Sequence, residues 1–218
     1  MSFAARLEIL PMPQQELWPD LASVPRQFVL YGGTALALRL GHRVSVDFDF
    51  FTSSPLDHEE LEKLGFVRGA TTLQHGPSKR TLLIERGGGS VKVSFFGSLP
   101  FGRVGEPEET SDHVARVASL LDLAGTKIKV LLQRVEAKDY RDVAALLAHG
   151  IPLAQILAAG RALFGPAFNP LVAQKALAYF QGGDLNTLDE ATRALLVREA
   201  VVDLDVPALP IISARLDA

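Results

Sequence analysis

Hydrophobic and polar positions change their rhythm near the middle of the 218-residue chain. Residues 27–31 (Gln-Phe-Val-Leu-Tyr) form a short apolar run stopped by Gly32 and Gly33, which predicts a strand ending in a turn. The Ala- and Leu-rich stretch from Thr34 to Leu40 predicts a helix closed by Gly41. Over residues 44–51 the alternation is strict, with Val44, Val46, Phe48 and Phe50 set against Ser45, Asp47 and Asp49. That period predicts a strand with one apolar and one polar face. Ser53, Ser54 and Pro55 break the pattern, and residues 57–65 read as a short capped helix. Two further strands, near 80–86 and 91–97, flank Gly87-Gly88-Gly89, a hairpin signal.

From about residue 112 the texture becomes helical. Residues 120–134 and 137–150 carry apolar side chains at intervals of three and four. Three more helices are expected near 152–164, 170–181 and 189–202, separated by Gly-Pro, Asn-Pro and Gly-Gly breaks. No internal repeat or low-complexity tract occurs. The polar stretch 102–112 marks a soft boundary, giving a mixed α and β part over 1–110 and a helical region over 111–218.

Composition narrows the class. Hydrophobic residues make up 48% and charged residues 22%, which excludes wholesale disorder. A net charge of −3 excludes a surface that is one continuous nucleic-acid footprint, while a local basic groove stays open. The chain has no cysteine, so disulfides, zinc–thiolate sites and thiol catalysis are excluded. The first twenty residues lack a long apolar core and are broken by Pro11 and Pro13, so no signal peptide is expected. No run of about 18 uncharged apolar residues predicts a membrane helix, and a cytoplasmic protein is expected.

The sharpest chemical feature spans residues 32–50. Alternation puts Asp47 and Asp49 on one face of a strand, about 6–7 Å apart at the backbone. Two adjacent carboxylates repel unless a cation lies between them, and an all-oxygen pair suits Mg²⁺ or Mn²⁺ completed by substrate phosphates. Upstream, Gly32, Gly33 and Thr34 lead from a strand into a helix. Glycines allow a phosphate to approach the backbone, and the helix start offers N–H donors to anions. Taken singly, a Gly-Gly turn is usually only a turn and an Asp-x-Asp strand usually a solvated face. Their joint occurrence in this order within 18 residues outweighs the parts. A second cluster comprises Lys127, Arg134, Lys138, Asp139 and Asp142. Seven residues apart on a helix, Lys127 and Arg134 would share a face and could neutralise phosphate charge. Asp139 and Asp142, three apart, could hold such cations in place, and a solvated amphipathic helix is the bland alternative.

The Gly-Gly turn followed by Asp-x-Asp resembles the first motif of the DNA polymerase β-like nucleotidyltransferases. The run His42-Arg43-x-Ser45-x-Asp47-x-Asp49-Phe50, with Lys127, Arg134, Lys138-Asp139 and Asp142 downstream, more specifically resembles the AbiEii/AbiGii-type toxins. The likeness covers roughly 27–147. It implies an α+β fold: a nucleotidyltransferase core of mixed β-sheet and flanking helices, then a helical region completing the active site. It implies catalytic roles for Asp47, Asp49 and Lys127, with Asp47 and Asp49 holding Mg²⁺ or Mn²⁺. Gly32, Gly33, Thr34, Arg43, Ser45, Arg134 and Asp139 would bind the nucleotide. The reaction implied is transfer of a nucleoside monophosphate from an NTP to RNA, tRNA foremost. The implied setting is a bacterial type IV toxin–antitoxin or phage-defence system with a separate antitoxin protein.

One departure matters. The superfamily commonly has a third carboxylate on a neighbouring strand, where this chain has Ser94, a poor metal ligand and no base at neutral pH. Glu85 could substitute if its face points inward. A catalytically weak nucleotide-binding module therefore stays as an alternative, as does a protein acceptor. His58, His75, His113 and His149 show no metal-ligand spacing and read as surface or capping residues. Arg80, Arg86 and Lys92 surround the hairpin and could touch a polynucleotide backbone, though basic hairpins are common for solubility alone. Phe48–Phe51, Phe95-Phe96 and Tyr179-Phe180 read as core.

Overall fold

The computed structural model describes residues 2–217, which form two compact units. The first runs to Gly102, takes in Glu106–Ser119 and resumes at Ser213. Its strands are β1 (Ser2–Phe3), β2 (Val29–Tyr31), β3 (Asp47–Phe51), β4 (Thr71–Gly76), β5 (Lys79–Arg86), β6 (Gly89–Phe96), β7 (Glu108–Thr110) and β8 (Arg116–Val117). They form one mixed sheet in the order β1-β7-β8-β2-β3-β6-β5-β4. Helices α1 (Met12–Leu17), α2 (Gly32–Leu40) and α3 (His58–Glu62) belong to this unit.

The sheet core follows from the period-2 pattern. Phe48, Phe50, Val91, Val93 and Phe95 are at most 1% exposed, and Phe50 stacks on Phe95 at 5.5 Å between ring centres. Helix α2 buries Ala35, Leu36, Ala37 and Leu38 and ends at Gly41, whose φ of 65° supplies the left-handed cap. The alternation over-reached at its start. Strand β3 begins at Asp47, and Val44 and Val46 are 60% and 48% exposed. Ladder pairing with β6 starts at Asp47, while the carbonyl of Val46 takes the Gln14 side-chain amide at 2.9 Å.

Helix α2 also starts at Gly32, directly after β2, so the expected turn is the first turn of the helix. Strand β4 had no apolar signature because it is an exposed edge strand with a bulge between Thr72 and Gln74. The short strand β7 lies in the stretch read as a boundary and β8 in the part read as helical, and Val117 of β8 pairs with Leu30 of β2. The returning tail is tied down at Asp217. Its carboxylate accepts hydrogen bonds from the Thr52 hydroxyl and from the amides of Ser53 and Ser54, just after β3.

The second unit comprises Arg103–Gly105 and Leu120–Ile212. It holds α4 (Leu120–Val130), α5 (Ala137–Ala148), α6 (Leu153–Phe164), α7 (Pro170–Ala176) and α8 (Glu190–Ala200). Helices α4 and α6 cross where both carry glycine. A Cβ on Gly125 would lie 2.9 Å from the Ala159 carbonyl carbon, and one on Gly160 would lie 2.9 Å from Ile128 Cγ2. Buried Asp122 accepts the amides of Val104 and Gly105 at 2.8 and 3.2 Å. Asn169 and Asp189 cap α7 and α8 with their side-chain oxygens. Tyr179, read as core, is 60% exposed because α7 stops at Ala176 and the chain turns away. Among the described residues no helix is long and apolar enough to cross a membrane.

Candidate active site

Strand β3 sets the floor of the site. With Phe48 and Phe50 in the core, the intervening Asp47 and Asp49 must point to the opposite face, where both are partly exposed. Asp49 lies between Tyr31 of β2 and Ser94 of β6, and Asp47 lies beside Lys92 of β6. Lys92 Nζ stands 2.7 Å from Asp47 Oδ2.

The start of α2 closes over these carboxylates. Gly32 has a φ of 79°, and a Cβ built on it would lie 2.8 Å from Asp49 Oδ2. The missing side chain is what lets the Asp49 carboxylate approach the helix start. At Gly33 a Cβ would collide with Arg43 Nη2 and come within 3.3 Å of Ser45 Oγ. The Arg43 guanidinium therefore lies against the first turn of α2, also donating to the Val44 carbonyl at 2.9 Å. A guanidinium beside free helix N–H groups is an anion-attracting arrangement.

Thr34 differs from expectation. It is 1% exposed, its hydroxyl donates to the Asp47 backbone carbonyl, and its oxygen lies 2.8 Å from Ser45 Oγ. A hydroxyl has one proton, so Thr34 gives it to Asp47 and receives that of Ser45. The pair fastens α2 to the entrance of β3. Arg39 is likewise an anchor. It donates to the carbonyls of Ala118 and Val117 at 3.0 and 3.2 Å, pairs with Glu108, and covers the Phe3 ring at 4.2 Å. Burial lowers its pKa, with Glu108 acting in the opposite sense.

The place expected for a third carboxylate is filled by Ser94, 3% exposed, with its oxygen 3.3 Å from the Thr81 hydroxyl. Glu85 shares the face of Thr81 but lies four residues along β5, about 13 Å away. Its carboxylate takes the Ser90 hydroxyl at 2.8 Å. The hairpin cations are matched by acids. Arg80, 4% exposed, pairs with Glu62 at 2.6 Å, and Arg86 pairs with Asp20 at 3.0 Å.

Asp47 and Asp49 offer hard oxygen donors on one face, and Gly32 leaves free the space a Cβ would fill at Asp49. That donor set fits Mg²⁺ or Mn²⁺ completed by phosphate oxygens. Among the described residues no three His, Asp or Glu side chains draw together as a metal cage. His58 and His75 stack at 4.3 Å, and both ring nitrogens of His58 are buried although the residue as a whole is partly exposed. His113 pairs with Glu109 at 3.2 Å, and His149 caps α5.

The downstream cluster lies in the helical unit. Lys127 is 5% exposed, its Nζ 2.6 Å from Asp142 Oδ2 and 3.3 Å from Asp139 Oδ1. Arg134 lies beyond the end of α4, so a shared helix face does not relate it to Lys127. The turn brings it to Asp139 instead, through two hydrogen bonds of 2.7 and 3.1 Å. Two cations and two fully buried aspartates thus neutralise one another. Arg134 is the solvent-facing member, with a side chain 43% exposed.

A strand that runs straight into a glycine-led helix, beside an acidic strand of a mixed sheet, is the arrangement of the nucleotidyltransferase fold. A crystal structure from H. pylori assigned as a nucleotidyltransferase aligns over 86% of this chain and 89% of its own, with a TM-score of 0.58 and 16% identity. MenT4, a nucleotidyltransferase toxin from Mycobacterium tuberculosis H37Rv, aligns over 88% of this chain and 82% of its own, again with a TM-score of 0.58 and 16% identity. At that identity the likeness speaks for the fold. Residues 20–193 match the family described as "Nucleotidyl transferase AbiEii toxin, Type IV TA system", and the chain belongs to that family. An uncharacterised protein of Aquifex aeolicus (strain VF5) is 36% identical over 136 residues, which span 59% of this chain and 62% of that relative.

Proposed function

We propose that the protein transfers a nucleoside monophosphate from an NTP to an RNA acceptor, tRNA foremost, and releases pyrophosphate. The observation that carries the reading is the junction of β2 and α2. There Gly32 seats the Asp49 carboxylate and Gly33 seats the Arg43 guanidinium within one helical turn. Asp47 and Asp49 would hold Mg²⁺ or Mn²⁺, which would offset charge on the triphosphate. Arg43 and the α2 start hold phosphate oxygens. Thr34 and Ser45 keep that start registered on β3. Lys127 and Arg134 enter the proposal through the family resemblance, as cations answering the charge of the departing pyrophosphate. Asp139 orients Arg134.

In the transfer, an acceptor hydroxyl oxygen bonds to the α-phosphorus as its bond to the bridging oxygen breaks. Pyrophosphate leaves, and the hydroxyl proton passes to water. The family description places its members in type IV toxin–antitoxin systems, so a separate antitoxin protein is part of the proposal.

The buried hydroxyl of Ser94 beside Asp49 favours a second reading, a weakly catalytic nucleotide-binding module that regulates a partner. Label transfer separates the two. Protein, Mg²⁺ and each α-labelled NTP are incubated with RNA and with cell protein, beside Asp49→Ala. Label on RNA from the wild type alone supports the first reading, and label on protein changes the acceptor class. Saturable NTP binding without consumption supports the module. Equal labelling by Asp49→Ala overturns the mechanism.

A further inference from the structure

We propose that Lys92 is the internal counter-ion of the metal site, holding Asp47 while nucleotide is absent and exchanging it for nucleotide phosphate when the loaded substrate arrives. The inference rests on the reading of Asp47 and Asp49 as the cation-binding pair. It adds a residue that neither the motif nor the family match assigns.

The position of Lys92 is dictated by the ladder. Strand β6 sends Val91, Val93 and Phe95 into the core, each 0% exposed, so Ser90, Lys92 and Ser94 face the site. Parallel pairing sets Lys92 beside Asp47 and Ser94 beside Asp49. On adjacent strands about 4.8 Å apart, the flexible lysine stem brings Nζ to Asp47 Oδ2 at 2.7 Å. The small side chains of Ser90 and Ser94 flank it along the strand.

This ion pair is a poor candidate for a structural role. Its side chains are 41% and 36% exposed, and half-solvated pairs add little to fold stability. Contrast the Lys127 pair, whose aspartates are fully buried. What Lys92 does change is local charge. With it, the aspartate pair presents one unit less negative charge to an arriving cation. A divalent ion must also compete with the ammonium for Asp47 Oδ2. The cation alone is therefore held weakly.

A nucleotide triphosphate alters the balance, because its phosphates give the displaced ammonium a new anionic partner. Cation and nucleotide should then bind with positive coupling, each strengthening the other by the same factor. In this arrangement the site is neutralised when empty and assembles around the loaded nucleotide.

The test is Mn²⁺ titration followed by electron paramagnetic resonance, on the full chain as wild type, Lys92→Met, Lys92→Arg and Asp49→Asn. Without nucleotide, Lys92→Met is expected to bind Mn²⁺ about three- to tenfold more tightly than wild type, the reach of one screened unit charge. Lys92→Arg should stay weak, and Asp49→Asn should lose the site. At saturating Mn²⁺, binding of the matching α,β-methylene triphosphate should weaken in Lys92→Met, so the coupling shrinks from both directions. Unchanged thermal unfolding would show that the variants fold. Asp49-dependent Mn²⁺ binding that is equal or weaker in Lys92→Met overturns the counter-ion role and leaves the metal reading standing. No Asp49-dependent Mn²⁺ binding in any variant, with or without nucleotide, removes the metal reading and the counter-ion with it.

Discussion

Replacing Gly32 by alanine tests the site where backbone and chemistry meet. The residue has a φ of 79°, a left-handed conformation that costs an L side chain about 1–2 kcal/mol. The new Cβ would also lie 2.8 Å from Asp49 Oδ2, closer than real contacts allow. Because the obstacle is the end of a side chain, Asp49 can rotate away, and an off-rotamer χ angle adds about 0.5–1.5 kcal/mol. The sum is about 1.5–3.5 kcal/mol, or about 3–14 °C in Tm for a chain of this size. Gly41→Ala is the matched control. It carries a φ of 65° at the other end of α2, and its Cβ would meet only the Arg6 side chain, 2.6 Å from Cδ. Both variants should lose Tm in EDTA. Their responses to Mn²⁺ should differ. At a hundred times the dissociation constant, a bound ion stabilises by about 2.7 kcal/mol. Wild type and Gly41→Ala should show that rise, whereas Gly32→Ala should not, since its Asp49 carboxylate has turned from the site. If Gly32→Ala keeps the full Mn²⁺-induced rise, Asp49 is not held for a cation by this helix start and the site geometry is misread.

Other perturbations address the supports of the site. Lys127→Met removes the ammonium that stands 2.6 Å from fully buried Asp142 and beside fully buried Asp139, and should cost about 3–5 kcal/mol in urea unfolding. Replacing Asp142 by leucine in the same chain should recover part of that loss; no recovery would mean that the pair is not the cause. Thr34→Val removes the donor to the Asp47 carbonyl and should cost about 1–3 kcal/mol while slowing label transfer. For Asp217, burial raises the carboxyl pKa, but hydrogen bonds from Thr52 and Ser53 and the charge of Arg215 outweigh it, so the net shift is downward. The sign follows: its stabilisation is complete above the ordinary carboxylate value of about 4 and is lost as pH falls through the lower folded value. Tm measured from pH 7 to pH 3 should fall less steeply in Asp217→Asn, which starts lower at pH 7; parallel curves would exclude the carboxylate as a source of acid sensitivity.

Legibility in the sequence tracked how locally each feature is encoded. Strand β6 and the acidic half of β3 were readable because apolar and polar residues alternate along each, and β5 because a glycine hairpin joins it to β6. Val44 and Val46 continue that pattern without joining the ladder, since alternation records what a strand could bury and not where its partner begins. Strand β4 was invisible for the opposite reason: an exposed, bulged edge needs no apolar face. Strands β7 and β8 are two or three residues long and exist through pairing with segments distant in sequence, which no local window contains.

The candidate site divides the same way. Asp47 and Asp49 share a face by strand geometry alone, so their nearness was readable from spacing. The role of Thr34 was not, because its hydroxyl reaches Asp47 across a loop of unspecified path. Arg134 meets Asp139 although the helix reasoning that linked it to Lys127 fails at Val130. There the acid–base complementarity in the sequence was sound and only the geometry assumed for it was wrong. Lys92 is the clearest instance. In the sequence it is one of three basic residues around a hairpin, with no mark separating it from Arg80 or Arg86. The ladder gives those arginines to Glu62 and Asp20, away from β3, and sets Lys92 on Asp47. One parallel register therefore changes a solubilising lysine into the cation that any metal at Asp47 must displace. The charge state of the empty site is a tertiary property, even though every charge in it was visible from the start.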